Sequence, residues 1–385
     1  MEEKSSILDK IMESQERHQA AMFNPNDVIA GLLKNISHKE SDILSRRFGL
    51  LGKQRETLEQ IGKFYDITRE RIRQIETATV KKIKELKDFR NQIEIADQHI
   101  SHLLEGYGGV MEENHLLEEI NFSDANKENH PATQFILGKL LDDKFDVIKP
   151  DNDLLPGWKL PTVSTELIKE IVRELVGIIE QENRLLEHNE LLNIFRKKDF
   201  YKVNREKIAA LRLGLEDEKL EKEIDRIIHS YLRIAKGANQ NILGEWGVSH
   251  WNTVSPKRMS DKVYLILRKI GKPLHFTEIT NLINEAKFDK KIAYPATIHN
   301  ELILDDRFVL VGRGIYALKE WGYQTGTVMD IIIDVLQKSN APMSKDDIVE
   351  AVLKQRLVRK STIYLALTNK EKIKKLPDGH YTLNK

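Results

Sequence analysis

Cysteine is missing altogether from these 385 residues, which excludes disulfides and thiolate zinc sites. No apolar run approaches the ~20 residues a membrane helix needs. The opening Met1-Glu-Glu-Lys4 has neither the basic nor the apolar stretch of a secretion signal. Phosphate-cradling patterns of the Gly-x-Gly-x-x-Gly or Walker kind are absent. The 12 histidines form no ligand array; His99 and His102 share a helix face, but no third ligand is near them in sequence. Asp142-Asp143 and Asp305-Asp306 occupy matching places in a repeat, so they read as architecture rather than as a catalytic dyad. The expectation is a cytoplasmic chain that is not an enzyme, with no cofactor or metal, no small-molecule substrate and no membrane.

A net charge of +1 is also close to an absence, yet it conceals a strong asymmetry. Residues 45–90 carry 13 Lys/Arg against 7 Asp/Glu, whereas residues 91–160 carry 5 against 14. Residues 161–324 are mildly basic, and 325–385 carry 11 against 7. Phosphate attraction is therefore expected from the first basic stretch and the last, while the acidic stretch should repel DNA and face protein.

What is present is concentrated in Arg69-Glu-Arg-Ile-Arg-Gln-Ile-Glu76 and the lysines 81, 82 and 84 beyond it. Ile72, Ile75, Thr79, Ile83 and Leu86 recur every three or four residues and define a buried stripe. Arg69, Glu70, Arg73, Gln74 and Thr77 fall on the opposite face, as guanidinium and amide donors suited to a major groove. Lys81, Lys82 and Lys84 flank them as phosphate ligands. Upstream, Thr57-Leu-Glu-Gln60 is a capping-box start, and Thr68 is placed to cap the arginine-rich helix. Ile61, Tyr65, Ile67, Ile72 and Ile75 sit where two steeply crossed helices touch, and Gly62 permits their approach. Together these form a helix-turn-helix with its second helix presented outward.

Leu44-Ser-Arg-Arg-Phe-Gly-Leu50, Thr57-Leu-Glu-Gln-Ile-Gly62 and Asp66-Ile-Thr-Arg-Glu-Arg-Ile-Arg-Gln-Ile-Glu76 resemble region 4 of the primary sigma factors, the promoter-recognition subunits of bacterial RNA polymerase. The resemblance covers residues 26–88 and implies roles residue by residue. Arg69, Glu70 and Gln74 would touch base edges of a promoter element of the −35 type. Arg71, Arg73 and Thr57 would hold the DNA backbone. Helices near 27–34 and 40–48 would face the polymerase flap. In sigma factors this module comes last. Here it comes first, and no aromatic-rich basic helix able to capture unstacked bases is found elsewhere, so a complete sigma factor is not expected.

Past residue 90 the chain repeats. Segments read as three helices and a short strand pair that closes on a glycine–aromatic signature: Gly157-Trp158, Gly244-Glu-Trp246, Gly314-Ile-Tyr316 and Gly379-His-Tyr381. That is a winged-helix plan, with each aromatic expected to anchor a core. The expected fold is mainly α: a lead-in helix or arm over 1–25, a helix-turn-helix domain over 26–90, and tandem winged-helix units over 91–160, 163–250, 258–322 and 325–385. In the third unit, Gly271-Lys-Pro-Leu-His-Phe-Thr-Glu-Ile279 and the run from Asp306-Arg-Phe308 to Trp321 resemble the HARE-HTH winged helix found in the RNA polymerase delta subunit. In the fourth, Arg359, Lys360, Lys374 and Lys375 are expected at DNA phosphates. A further basic run in the second, Arg196-Lys-Lys198, Lys202, Arg205 and Lys207, reads as a loop insertion.

The reading that results is a sigma-like transcription regulator. It recognises double-stranded promoter DNA through the helix-turn-helix and meets RNA polymerase or further DNA through the winged units. Two rivals stand beside it: a polymerase-bound adaptor or anti-sigma-like competitor, and the DNA-specificity component of a restriction or defence system.

Overall fold

The computed structural model describes residues 23–120, 130–211, 217–339, 341–356 and 358–384; most of the expected lead-in segment lies outside them. The chain divides into two compact units, 1–239 and 240–385. It is mainly helical, with small antiparallel sheets, and no described helix is long and apolar enough to cross a membrane.

The first unit opens with α1 (Pro25–Leu33) and α2 (His38–Phe48), a 3-10 turn at Leu50–Gly52, α3 (Leu58–Tyr65), α4 (Arg69–Lys84) and α5 (Phe89–Gly106). Local chemistry sets these limits. Asn24 caps α1 ahead of Pro25, Ser37 and Glu40 close a capping box on α2, and Gly49 ends α2 in the left-handed region at φ 73°. There follow β1 (Val110–Glu112), α6 (Glu113–Ile120), α7 (His130–Phe135) running into a π-helical turn (Ile136–Leu140), β2 (Asp146–Ile148) and β3 (Gly157–Lys159). The sheet order is β1-β3-β2, and Glu112 lies opposite Gly157. A Cβ on Gly157 would sit 2.4 Å from the Met111 carbonyl oxygen, which explains the glycine before the signature aromatic.

One hydrophobic core runs from Phe23 through Leu44, Leu50, Ile83 and Ile100 to Phe135, Ile136 and Trp158. The stretches 26–90 and 91–160 therefore share a core. The α7 segment supplies the link: the Phe135 and Phe48 rings lie 4.8 Å apart.

Four helices follow where three were expected: α8 (Thr165–Glu182), α9 (His188–Lys197), α10 (Asp199–Ala209) and α11 (Asp217–Ile234). The basic run read as a loop insertion falls on α9 and α10. The sequence reading missed that Leu191, Leu192, Phe195, Tyr201 and Ile208 give it buried helical stripes. Helix α11 lies against β1; Ser230 Oγ donates to the Val110 carbonyl at 2.6 Å and Tyr231 OH to that of Gly108 at 3.2 Å. The unit boundary falls inside β4 (Ala238–Gln240), which forms a two-stranded sheet with β5 (Trp246–Val248).

The second unit holds two repeats with separate cores. The first comprises α12 (Met259–Ile270), β6 (Leu274–His275), α13 (Phe276–Ala286), α14 (Pro295–Leu304), β7 (Phe308–Gly312) and β8 (Ile315–Leu318), with sheet order β6-β8-β7. Its Asp-Arg-Phe motif is structural. Arg307 Nη2 donates to Asp305 at 2.7 Å and to Asp261 on α12 at 3.0 Å, while Phe308 enters the core. The second comprises α15 (Val328–Ser339), α16 (Lys345–Gln355), α17 (Lys360–Leu367), β9 (Ile373–Lys375) and β10 (Tyr381–Leu383). A Met343–Tyr381 bridge stands where a third strand would lie.

Candidate nucleic-acid interface

Helices α3 and α4 meet through Ile61 and Ile72, both fully buried with Ile43 of α2, and through Leu58, Tyr65, Ile67 and Ile75. The turn between them is tight. Asp66 adopts the left-handed conformation at φ 53°, and the Ile67 N–H donates to the Gly62 carbonyl at 2.9 Å. A Cβ on Gly62 would lie 2.7 Å from the Ile67 carbonyl oxygen, so only glycine fits without moving backbone. Thr57 and Gln60 close the capping box on α3, and Thr68 Oγ1 accepts from the Arg71 N–H at 3.2 Å to start α4.

A carboxylate behind the hairpin fixes its angle to α2. Asp42 accepts from Arg46 Nε at 2.7 Å, from Tyr65 OH at 2.6 Å and from Lys53. Burial works to raise its pKa, but the hydrogen bonds from Lys53, Tyr65 and Arg46 outweigh burial and hold it well below the usual carboxylate range. Arg46 also stacks 4.0 Å from the ring centroid of Phe64 and pairs with Glu56 at 2.9 Å. Arg47 and Lys139 both reach Glu76, at 3.3 and 3.4 Å, which ties the inner side of α4 to α2 and to the π turn.

With that side held, Arg69, Glu70, Arg71, Arg73, Gln74, Thr77 and Lys81 are exposed along the outer side of α4. The row is pre-arranged by its own contacts. Arg73 grips Glu70, Nε to both carboxylate oxygens at 3.1 and 3.0 Å and Nη2 at 2.7 Å. Arg71 Nη1 donates to Gln74 Oε1 at 3.1 Å. Thr77 turns its hydroxyl back to the Arg73 carbonyl. The Arg69 side chain makes no hydrogen bond among the described residues, which leaves its guanidinium exposed to solvent.

The three lysines at the end of α4 each face a carboxylate, Lys81 only loosely, with Glu85 at 3.8 Å. Lys82 pairs with Glu40 at 3.0 Å, which leaves it at the rim of the face. Lys84 turns away to Asp142, beyond the π turn, and acts as a tether rather than as part of the row. Lys39 was not singled out from the sequence. It lines, with Glu40, Arg71 and Gln74, a groove of about 390 Å3 beside α4; the Ser37–Glu40 capping box that places it was the available signal. Arg359, Lys360, Lys374 and Lys375 are exposed at the start of α17 and on β9, far along the chain in the second unit.

The family model Sigma-70, region 4, matches residues 32–85, from the end of α1 through α4. This segment is a DNA-binding helix-turn-helix of the kind used in transcription. The match spans less than a quarter of the chain, and its last helix is the one whose outer side carries the arginine row.

Proposed function

We propose that this chain is a sigma-like regulator of transcription that reads one promoter element as a duplex. Helix α4 enters the major groove. Arg69 and Gln74 donate to base edges, Glu70 held by Arg73 accepts from an exocyclic amine, and Lys81, Arg71 and the capped start of α3 hold phosphates. The observation that carries this is the combination of a buried α3–α4 contact with an exposed, self-ordered polar row. The remaining helix triplets are read as winged-helix units, the one over 258–322 of HARE-HTH type. The first is turned inward by its α7 segment. The last supplies a second phosphate-facing surface from Arg359, Lys360, Lys374 and Lys375. α1 and α2 face the polymerase, no covalent chemistry is involved, and the chain works in the cytoplasm.

Anisotropy titrations of selected and random duplex test the assignment. Arg69→Ala and Gln74→Ala should each weaken selected duplex by ~1–3 kcal/mol and leave random duplex nearly unchanged. Lys81→Ala should weaken both alike and lower the salt slope by ~1. Equal losses on both duplexes from all three changes would reject base reading and favour an adaptor that binds polymerase without reading DNA.

A further inference from the structure

Of the four signature aromatics that close the repeats, three are core. Trp158, Trp246 and Tyr316 retain 7%, 1% and 3% of their exposure. Tyr381 also packs against the core of its repeat but is only partly buried, and it lines a cleft of about 590 Å3 between the end of α17 and the β9–β10 hairpin. The floor is apolar, from Leu367 and Ile373. The rim carries Lys370, Lys374 and Lys375, and no carboxylate among the described residues lines the cleft. None of these lysines forms an ion pair among the described residues. Lys375 lies opposite Tyr381 across the hairpin, its ammonium 5.8 Å from the ring centroid. Asn384 donates its side-chain amide to the Lys370 carbonyl at 2.9 Å and so fixes the turn that carries the first lysine.

A flat basic surface suffices for the phosphates of a duplex, whose bases are stacked out of reach. A concavity with an aromatic wall and an apolar floor has a use only when a base can leave its stack. Its volume falls within the ~300–1,000 Å3 of small-ligand sites. Ammonium groups at the rim and a ring beside an aliphatic floor match the two halves of a nucleotide. We propose that this cleft binds an unpaired nucleotide, with its phosphate on Lys370, Lys374 and Lys375 and its base against Tyr381. Single-stranded nucleic acid and free nucleoside polyphosphates share that chemistry. The inference rests on the nucleic-acid reading of this basic surface and is independent of base reading by α4.

The test uses the full chain and a labelled oligothymidylate of about a dozen nucleotides, with promoter duplex alongside. Tyr381→Leu should weaken the single strand roughly tenfold, Tyr381→Phe should retain it, and neither should change duplex binding. Lys370→Ala with Lys374→Ala leaves the apolar core untouched and should weaken the strand as well, which covers the event that Tyr381→Leu fails to fold. Displacement by ATP or GTP would assign the site to free nucleotides, and failure to displace would assign it to the strand; either supports the proposal. It is overturned if the lysine variant leaves strand binding intact, if Tyr381→Leu folds and keeps it, if Tyr381→Leu weakens duplex and strand equally, or if an oligoglutamate peptide binds the same lysines as tightly. Arg69→Ala serves as the separating control. It should leave the single strand bound, so failure of base reading by α4 and failure of this cleft give different patterns.

Discussion

Asp42 ties the helix-turn-helix to α2. Its three donors come from α2, the loop after α2 and the end of α3, and its side chain retains 11% exposure. Asp42→Ala should therefore cost about 2 kcal/mol of local stability, read as lost hydrogen-exchange protection across α2–α4. A second residue-scale test concerns pH. Burial, with Arg233, His229 and Arg226 nearby, holds His115 down at about 3. Burial, then His188 and Arg233, holds His229 at about 4. Glu119 lies 3.8 Å from His115 Nε2, too far to offset that burial. Both rings stay neutral in the folded protein while the unfolded chain takes up protons below the ordinary histidine value of ~6.5. The stability they contribute is full above that value and falls with pH toward the folded values. Urea unfolding of the first unit should show a loss of about 1 kcal/mol or more between neutral pH and pH ~5. His115→Gln with His229→Gln should flatten the slope, and an unchanged slope would contradict the assignment.

At the scale of elements, the helix-turn-helix was legible because its residues perform local tasks. Thr57, Thr68 and Gly62 set caps and turn within a few residues of themselves, and the isoleucine spacing sets the buried side of α4. Thr68→Ala should cost ~1 kcal/mol as a lost cap. Gly62→Ala should cost ~1–3 kcal/mol by pushing Ile67 away; thermal melts and duplex affinity should fall together. What was illegible depends on contacts distant in sequence. Lys84 reads as a phosphate ligand until Asp142 stands beside it, and Tyr381, which does pack against the core of its repeat, gives no sign in sequence of the cleft it also lines. The basic run from Arg196 to Lys207 reads as a loop because its charges draw attention from the apolar stripes of α9 and α10. Third helices also diverge in use. That of the repeat at 91–160 packs into the shared core through Phe135 and Ile136, while α14 contains no lysine or arginine and exposes Ile303 and Leu304. α17, by contrast, begins with exposed cations at Arg359 and Lys360.

At the scale of the whole chain, charge segregation has a structural counterpart. The acidic stretch 91–160 carries the other half of the core beneath the basic helix-turn-helix, with Lys84–Asp142 and Lys139–Glu76 joining the two. A fragment ending at residue 90 would expose the sides of Leu44, Leu50 and Ile83 that this core covers. It should unfold at lower urea and bind an apolar dye, whereas 1–239 should do neither; equal stability would contradict a shared core. The central claim is that the outer side of α4 reads base sequence. Selection from a randomised duplex pool by the intact chain and by Arg69→Ala tests it most directly. The intact chain should enrich a short motif of consecutive base pairs, and the variant should enrich the same motif with preference lost at one or two positions. An absence of any motif, or an identical motif from the variant, would contradict it.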